Sequence, residues 1–233
     1  MFTESADFYD AIYSFKDYVA EAAQIADRIR SVRPGARTVL DIACGTGEHA
    51  RLLAERHGFE VDGIDLDAGL LRAARQKHPS GRFVEADMSA FTLDRRYDAI
   101  LCLFSSIAYL VTRDRVAQAL ACFRQHLAPG GVVFVEPWFP PGALNTRRVF
   151  RVHGVHNGAR VTRVGRNEVE GRISRLHFEY EVDAPSGKRH LTEVHELGLF
   201  TREEMGQAFE RANLDATYDP NGLTGRGLWT ARA

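Results

Sequence analysis

Asp41, Asp65 and Asp87 each sit at or just beyond the end of a short strand-like run, and they are the residues whose type and spacing carry the most chemistry. Asp41 belongs to the run Val39-Leu40-Asp41-Ile42, which suits a buried parallel strand. Gly45-Thr46-Gly47 then turns the chain into a helical pattern that begins near Glu48. Glycines there let the backbone approach a ligand closely. A carboxylate beside such a loop suits a positively charged group better than a pyrophosphate. Asp65 ends the next run roughly 20 residues further on, the distance at which an acid meets ribose hydroxyls. Gly45-x-Gly47-x-x-Ala50 also satisfies the loose dinucleotide fingerprint, so the glycines alone mark a nucleotide-like cofactor without naming it. Asp87, in Glu85-Ala86-Asp87-Met88, narrows the reading. An acid after the third strand can accept from an adenine amino group, and the three carboxylates would span one adenosyl ligand from an amino-acid end to its base.

These residues need a parallel sheet to position them. Strand patterns at Val39 to Ile42, Val61 to Asp65, Arg82 to Asp87, Tyr97 to Leu103 and Val132 to Val135 alternate with helical ones. The helices are expected from Lys16 or Asp17 to Val32, Glu48 to His57, Asp67 (as N-cap) to His78, and Asp114 to Leu127. In such a sheet, ligands sit outside the carboxyl ends of the strands. Phe104-Ser105-Ser106-Ile107-Ala108-Tyr109 and Glu136-Pro137-Trp138 should therefore reach the crevice that holds Gly45 and Asp65. After Pro140-Pro141-Gly142 the period changes to two. Ile173 to Val182 alternates strictly, Asp183 to Lys188 reads as a turn, and His190 to Phe200 and Arg160 to Glu170 complete an antiparallel sheet. Thr201 with Glu204 forms a capping box for a last helix to Asn213, followed by strands at Leu214 to Tyr218 and Leu228 to Ala233. The main body is thus residues 1–140 and 198–233, with an antiparallel insertion at 141–197.

Several aromatic and cationic residues have two readings. Tyr9 and Tyr13 are spaced to share a helical face and can simply pack on the body, or can turn their rings toward a bound cation. Tyr109 is either a packing residue at the start of the next helix or the group that holds a reacting proton. Arg226, between Gly225 and Gly227, is either an exposed turn arginine or a planar fork for phosphate oxygens. The arginines of the insertion, Arg147, Arg148, Arg151, Arg160, Arg163, Arg166, Arg172 and Arg175, read as solvated strand faces set against few acids, or as a basic rim for a phosphorylated substrate or an acidic partner. None of the nine histidines stands out as a base. His49 and His57 read as helix-surface residues, and His177 and His195 as opposed strand residues.

Composition narrows the function class. A chain of 233 residues that is 45% hydrophobic can bury one sizeable core, and its formal charge of -1 argues against a general nucleic-acid binder. Cys44, Cys102 and Cys122 lack metal or disulfide spacing and read as buried free thiols in a reducing, cytoplasmic compartment. The start, Met1 to Asp7, carries acids where a signal peptide would be basic, and the apolar stretch Ala99 to Val111 is too short for a bilayer span. A small-molecule partner, with no nucleic acid, membrane or metal, is expected.

The aspartate arrangement resembles the class I S-adenosylmethionine-dependent methyltransferases. The resemblance extends to one branch of them: the nucleotide-sugar N,N-dimethyltransferases that act on TDP-linked 3-amino-3,6-dideoxyhexoses. It is carried by Phe8-Tyr9-Asp10, Lys16-Asp17-Tyr18, Leu40-Asp41-Ile42-Ala43-Cys44-Gly45-Thr46-Gly47, Asp87-Met88, Phe104-Ser105-Ser106, Pro129-Gly130-Gly131, Glu136-Pro137-Trp138 and Gly225-Arg226-Gly227-Leu228. The stretch between Tyr13 and Lys16 is shorter than the family's, and Phe139 replaces a second tryptophan. The resemblance implies a Rossmann-like, mostly parallel seven-stranded sheet with helices on both faces and an inserted antiparallel sheet that covers the substrate or pairs two copies as a homodimer. It implies a cofactor site of Tyr13, Tyr18, Asp41, Ala43, Gly45, Gly47, Asp65, Leu66, Asp87, Met88 and Leu103. Tyr9 and Tyr109 would hold the amine, and Lys16, Trp138 and Arg226 the nucleotide-sugar. Another small amine or hydroxyl acceptor, or a non-catalytic protein that binds the cofactor, are the alternatives.

Overall fold

The computed structural model describes residues 5–185 and 187–233. The acidic start at Met1 to Glu4, and Ser186 in the expected hairpin turn, lie outside the described residues. Five parallel strands build the main sheet: β1 (Thr38–Ile42), β2 (Glu60–Asp65), β3 (Phe83–Glu85), β4 (Tyr97–Cys102) and β5 (Leu127–Val135). Between or before them run α1 (Tyr9–Ile12), α2 (Tyr18–Val32), α3 (Glu48–His57), α4 (Ala68–Lys77) and α5 (Arg113–Gln125). Four further strands follow: β6 (Phe150–His156), β7 (Ala159–Glu170), β8 (Ile173–Ala184) and β9 (Gly187–Gly198). The chain closes with α6 (Arg202–Arg211), β10 (Asp215–Asp219) and β11 (Leu228–Arg232).

The seven strands lie in the order β10, β11, β5, β4, β1, β2, β3, with β11 antiparallel to both neighbours. Strand order reverses between β1 and β4, which makes their carboxyl ends the switch-point crevice where ligands bind in open α/β sheets. Leu40, Ile42, Ile100 and Val133 face α5 and α6, while Val39, Ala99, Leu101 and Val132 face α2, α3 and α4. The strands are buried on both sides and therefore read as near-continuous apolar runs.

Local chemistry sets the element ends. The Asp67 carboxylate accepts from Gly69 and Leu70 N–H to start α4, and Thr201 and Glu204 make the reciprocal capping box of α6. The third strand is shorter than its sequence pattern, since only Phe83–Glu85 pairs with β2 and Asp87 lies beyond it. Gly130-Gly131 does not precede β5 but lies within it.

The second sheet is four-stranded and antiparallel, in the order β6, β7, β8, β9. Leu176, Phe178, Tyr180 and Val182 form its buried face, as their alternation requires. Several of the inserted arginines find acids across the strands. Arg160 pairs with Asp183, Arg166 with Glu179, and Arg175 with Glu170 and Glu196, while Arg172 reaches Glu204 on α6. Arg163 points the other way and is buried. Phe8, Ile12, Tyr13 and Ala108 pack against the buried face, so the start of the chain fills the space between the two sheets. Among the described residues, no helix is long and apolar enough to cross a membrane.

Candidate cofactor and acceptor site

A narrow cleft opens at the carboxyl ends of β1 and β4, lined by Tyr9, Tyr18, Asp41, Ala43, Cys44, Thr46, Glu48, His49, Leu103, Phe104 and Ser106. A larger concavity of about 510 Å³ lies on the outer face of the inserted sheet, between Arg160, Glu181, Asp183, Lys188 and their neighbours. It is walled by charged strand residues and lies off the strand ends, so the narrow cleft is the candidate site.

The glycine loop is held by a carboxylate. Asp65 accepts from Gly45 N–H at 2.8 Å through one oxygen and from Asp67 N–H at 2.9 Å through the other. Burial pushes its carboxyl upward in pKa, opposed by those two N–H donors. Gly47 has φ of +72°, and a Cβ there would lie 2.9 Å from that of Ala74. Its glycine is required by the packing of α3 on α4. Asp41 is only 3% exposed, and its pKa is raised to about 7, mainly by burial and further by Asp65, with His49 opposing. Asp87 differs. Burial works against its charge, but hydrogen bonds from Ser89 and the Arg115 guanidinium outweigh it and hold the carboxyl below its usual range. Leu66 is 46% exposed beside Asp65, whereas Met88 is buried in the core.

A polar cluster lies beside the cleft at Tyr18 and His49. Glu21 accepts from Lys16 at 3.0 Å and bonds His49 at 3.0 Å. His49 is therefore a buried member of the site wall and not a helix-surface residue. The Lys16 side chain is also buried, its ammonium 3.8 Å above the centre of the Phe104 ring. Burial lowers its pKa, partly offset by Glu21.

Phe104 anchors the opposite wall. It and Ser105 take left-handed φ values of 52° and 62°, a strain that surrounding contacts must sustain. Glu136, 2% exposed, accepts from Phe104 N–H at 2.7 Å and from the Thr224 hydroxyl at 2.5 Å, and its carboxylate lies 3.6 Å from Arg226 Nε. The Ser105 hydroxyl donates to the Pro137 carbonyl at 2.7 Å. The Arg226 guanidinium sits 5.2 Å from the Phe104 ring centre, so two cations share one ring. Trp138 Nε1 is buried without a hydrogen-bond partner among the described residues.

The tyrosines divide. Tyr9 lies over the glycine loop, its hydroxyl 3.9 Å from where a Cβ on Gly45 would stand, and its ring is 4.6 Å from that of Tyr13. The Tyr13 hydroxyl accepts from Arg163 at 2.8 Å, and its ring meets Phe104 edge-on, so it faces the inserted sheet more than the cofactor edge. Tyr109 is hydrogen-bonded to His195 Nδ1 at 2.9 Å. His195 is 1% exposed and stands opposite Leu176, on the buried face of β9. It is not opposed to His177, which pairs with Val194 on the outer face. Sequence gave no signal for His195, because its facing depends on a register set by distant strands.

Residues 39–131 match a family described as a methyltransferase domain. The dTDP-3-amino-3,6-dideoxy-alpha-D-glucopyranose N,N-dimethyltransferase of Streptomyces fradiae is 40% identical over 97% of this chain and 90% of its own length. The chain belongs to the S-adenosylmethionine-dependent amino-sugar N,N-dimethyltransferases. Its fold is that of Streptomyces venezuelae DesVI, with a TM-score of 0.90, 38% identity and 98% of both chains covered. An amino pentose methyltransferase from Micromonospora echinaspora, solved with S-adenosylmethionine bound, aligns with a TM-score of 0.82, 38% identity, and 94% of this chain and 92% of its own covered. S-adenosylmethionine is thus the methyl donor of this family member, and the acidic strand ends and glycine loop fit it.

Proposed function

We propose that this enzyme methylates the amino group of a nucleotide-linked amino-deoxy sugar, and that each half of the cleft serves one partner. Asp41 takes the amino-acid ammonium of the cofactor, Asp65 the ribose hydroxyls, and Asp87 the adenine amino group beside Leu66 and Met88. Tyr18, Ala43, Gly45, Gly47 and Leu103 complete that wall. When bound, S-adenosylmethionine supplies an electrophilic methyl group on a sulfonium. The protein's share of the rate is to hold an amine in line with it in a dry site, which needs little covalent help. The Tyr9 and Tyr109 hydroxyls hold that amine, and the ring of Tyr9 offers its face to the sulfonium.

The observation that carries the substrate reading is the pair of cations on Phe104. Lys16 and Arg226 both lie against one ring, where diphosphate oxygens would meet an ammonium and a planar fork together. Trp138, with its buried and unpartnered indole N–H, adds a donor and a flat face for the nucleotide or sugar. We place the enzyme in the cytoplasm, in keeping with three free cysteines, two of them buried. Residues 141–197 would cover the substrate. Their outer face, where Val155 and Val194 stand exposed, would pair two copies as a homodimer.

Titration calorimetry tests the reading. S-adenosylmethionine should bind first, and a TDP-amino sugar should bind in the presence of S-adenosylhomocysteine, with mass spectrometry counting the methyl groups after turnover. Cofactor binding without any response to TDP or its sugar would move the acceptor to another class of small amine or hydroxyl.

A further inference from the structure

The hydrogen bond from Tyr109 does not end at His195. His195 Nε2 lies 3.4 Å from Glu193 Oε2, and that carboxylate also accepts from the Ser5 hydroxyl at 2.8 and 2.9 Å and from the Tyr180 hydroxyl at 3.0 Å. All of these groups are buried between the two sheets. Burial alone would favour a neutral Glu193, but the donors from His195, Ser5 and Tyr180 hold its carboxyl below the usual range, so it is ionised. An ionised carboxylate only accepts. Nε2 of His195 therefore carries a hydrogen, and Nδ1 is left as the acceptor of the Tyr109 O–H. The tyrosine oxygen is then left with its lone pairs to accept from a donor.

We infer that Tyr109, His195 and Glu193 form a proton relay that removes a proton from the substrate's ammonium group. Resting on the amino-sugar reading, it adds an internal base for the acceptor amine. One N–H proton of the ammonium passes to the Tyr109 oxygen as the proton of Tyr109 passes to His195 Nδ1. The products are a neutral amine with its lone pair, a neutral tyrosine, and an imidazolium facing the Glu193 carboxylate. After the methylated product leaves, the proton returns by the same path to water. The same step would free the nitrogen for a second methylation, since each transfer leaves an ammonium behind. Burial lowers the pKa of His195, with Glu193 opposing and Arg163 on β7 adding to the fall, so the ring rests neutral and ready to accept. Burial also raises Tyr109, with Tyr13, Tyr180, Asp65 and Glu193 around it, which favours the relay over a free phenolate. His195 is a positioning residue here, acting through Tyr109.

The test joins kinetics to spectroscopy. Tyr109→Phe and His195→Asn should lose roughly a hundredfold in kcat at neutral pH, the usual worth of a positioned base. Both should climb toward the wild-type rate at alkaline pH, where the amine is already neutral. Equal loss at every pH, or no loss, would overturn the relay. Nitrogen-15 NMR of the apo wild type should show His195 as the Nε2–H tautomer, with an Nδ1 resonance that moves in Tyr109→Phe. The Nδ1–H tautomer would overturn it independently of any substrate. A wild type inactive toward every amino sugar would instead remove the amino-sugar reading, with the tautomer still deciding the relay for whichever acceptor replaces it.

Discussion

Asp41 is the residue whose environment makes the sharpest solution prediction. Its carboxyl is raised to about 7 in the free protein, so it is largely neutral just below that pH. An ammonium bound beside it favours the charged form and lowers that pKa, which means cofactor binding releases a proton below pH 7. Affinity for S-adenosylmethionine should therefore fall as the pH drops through about 7, by at most about tenfold per pH unit. Calorimetry in buffers of different ionisation enthalpy would count the proton, and Asp41→Asn should flatten the dependence. A flat profile in the wild type would place the ammonium elsewhere. Arg226→Ala speaks to the other half of the cleft. It should raise the KM for the nucleotide-sugar roughly tenfold while leaving cofactor affinity intact, in line with the loss of one charge-assisted contact. Loss of both would mean instead that Glu136, deprived of its neighbour, has let the Phe104 loop go.

At the scale of elements, the parallel core was legible because buried strands and amphipathic helices have distinct periods. The Thr201 capping box and the Asp67 N-cap were legible for a more local reason, since each joins residues only two or three positions apart. Strand β6 was not foreseen. Phe150–His156 carries a glycine in mid-strand, and a Cβ at Gly154 would lie 2.4 Å from the Ala11 carbonyl oxygen. A glycine that weakens the strand pattern is there so that α1 can lie against the strand, a contact no local window contains. The acids that pair with the inserted arginines were hidden in a similar way, because they stand across the strands or on α6. Gly47 gives a stability test. Its positive φ and the 2.9 Å approach to Ala74 mean that Gly47→Ala should cost about 1–3 kcal/mol, read as a lower denaturant midpoint at unchanged slope.

For the whole molecule, the decisive fact is that the cleft at the strand ends is bordered by a short segment that belongs to neither sheet. Asp10 on α1 accepts from Lys77 at 2.7 Å and from the Thr46 hydroxyl at 2.6 Å, which ties the segment to the cofactor loop. Tyr13 meets Arg163, and Ser5 meets Glu193, which tie it to the inserted sheet. A cofactor held among these parts should stabilise them jointly. At a hundredfold excess over Kd, linkage gives about 2.7 kcal/mol, or roughly 5–10 °C in Tm for a chain of this size. Lys77→Ala should speed cofactor release without abolishing binding, measurable by stopped-flow displacement; an unchanged off-rate would mean that α1 does not gate the site. His195, Glu193 and Ser5 were invisible to sequence reading for the same reason: the chain separation from Ser5 to Glu193 is 188 residues.

That separation also sets an order of events on the ribosome. The segment from Ser5 to Tyr13 is made before Lys77, Arg163 and Glu193, which hold it down and are made progressively later. Until β9 has been synthesised and paired, the opening segment has only part of its anchorage, and long-range closures of this kind come late in folding. The competence of the site to take up its methyl donor is thereby a report that the chain has been made at least through β9 and has found its place.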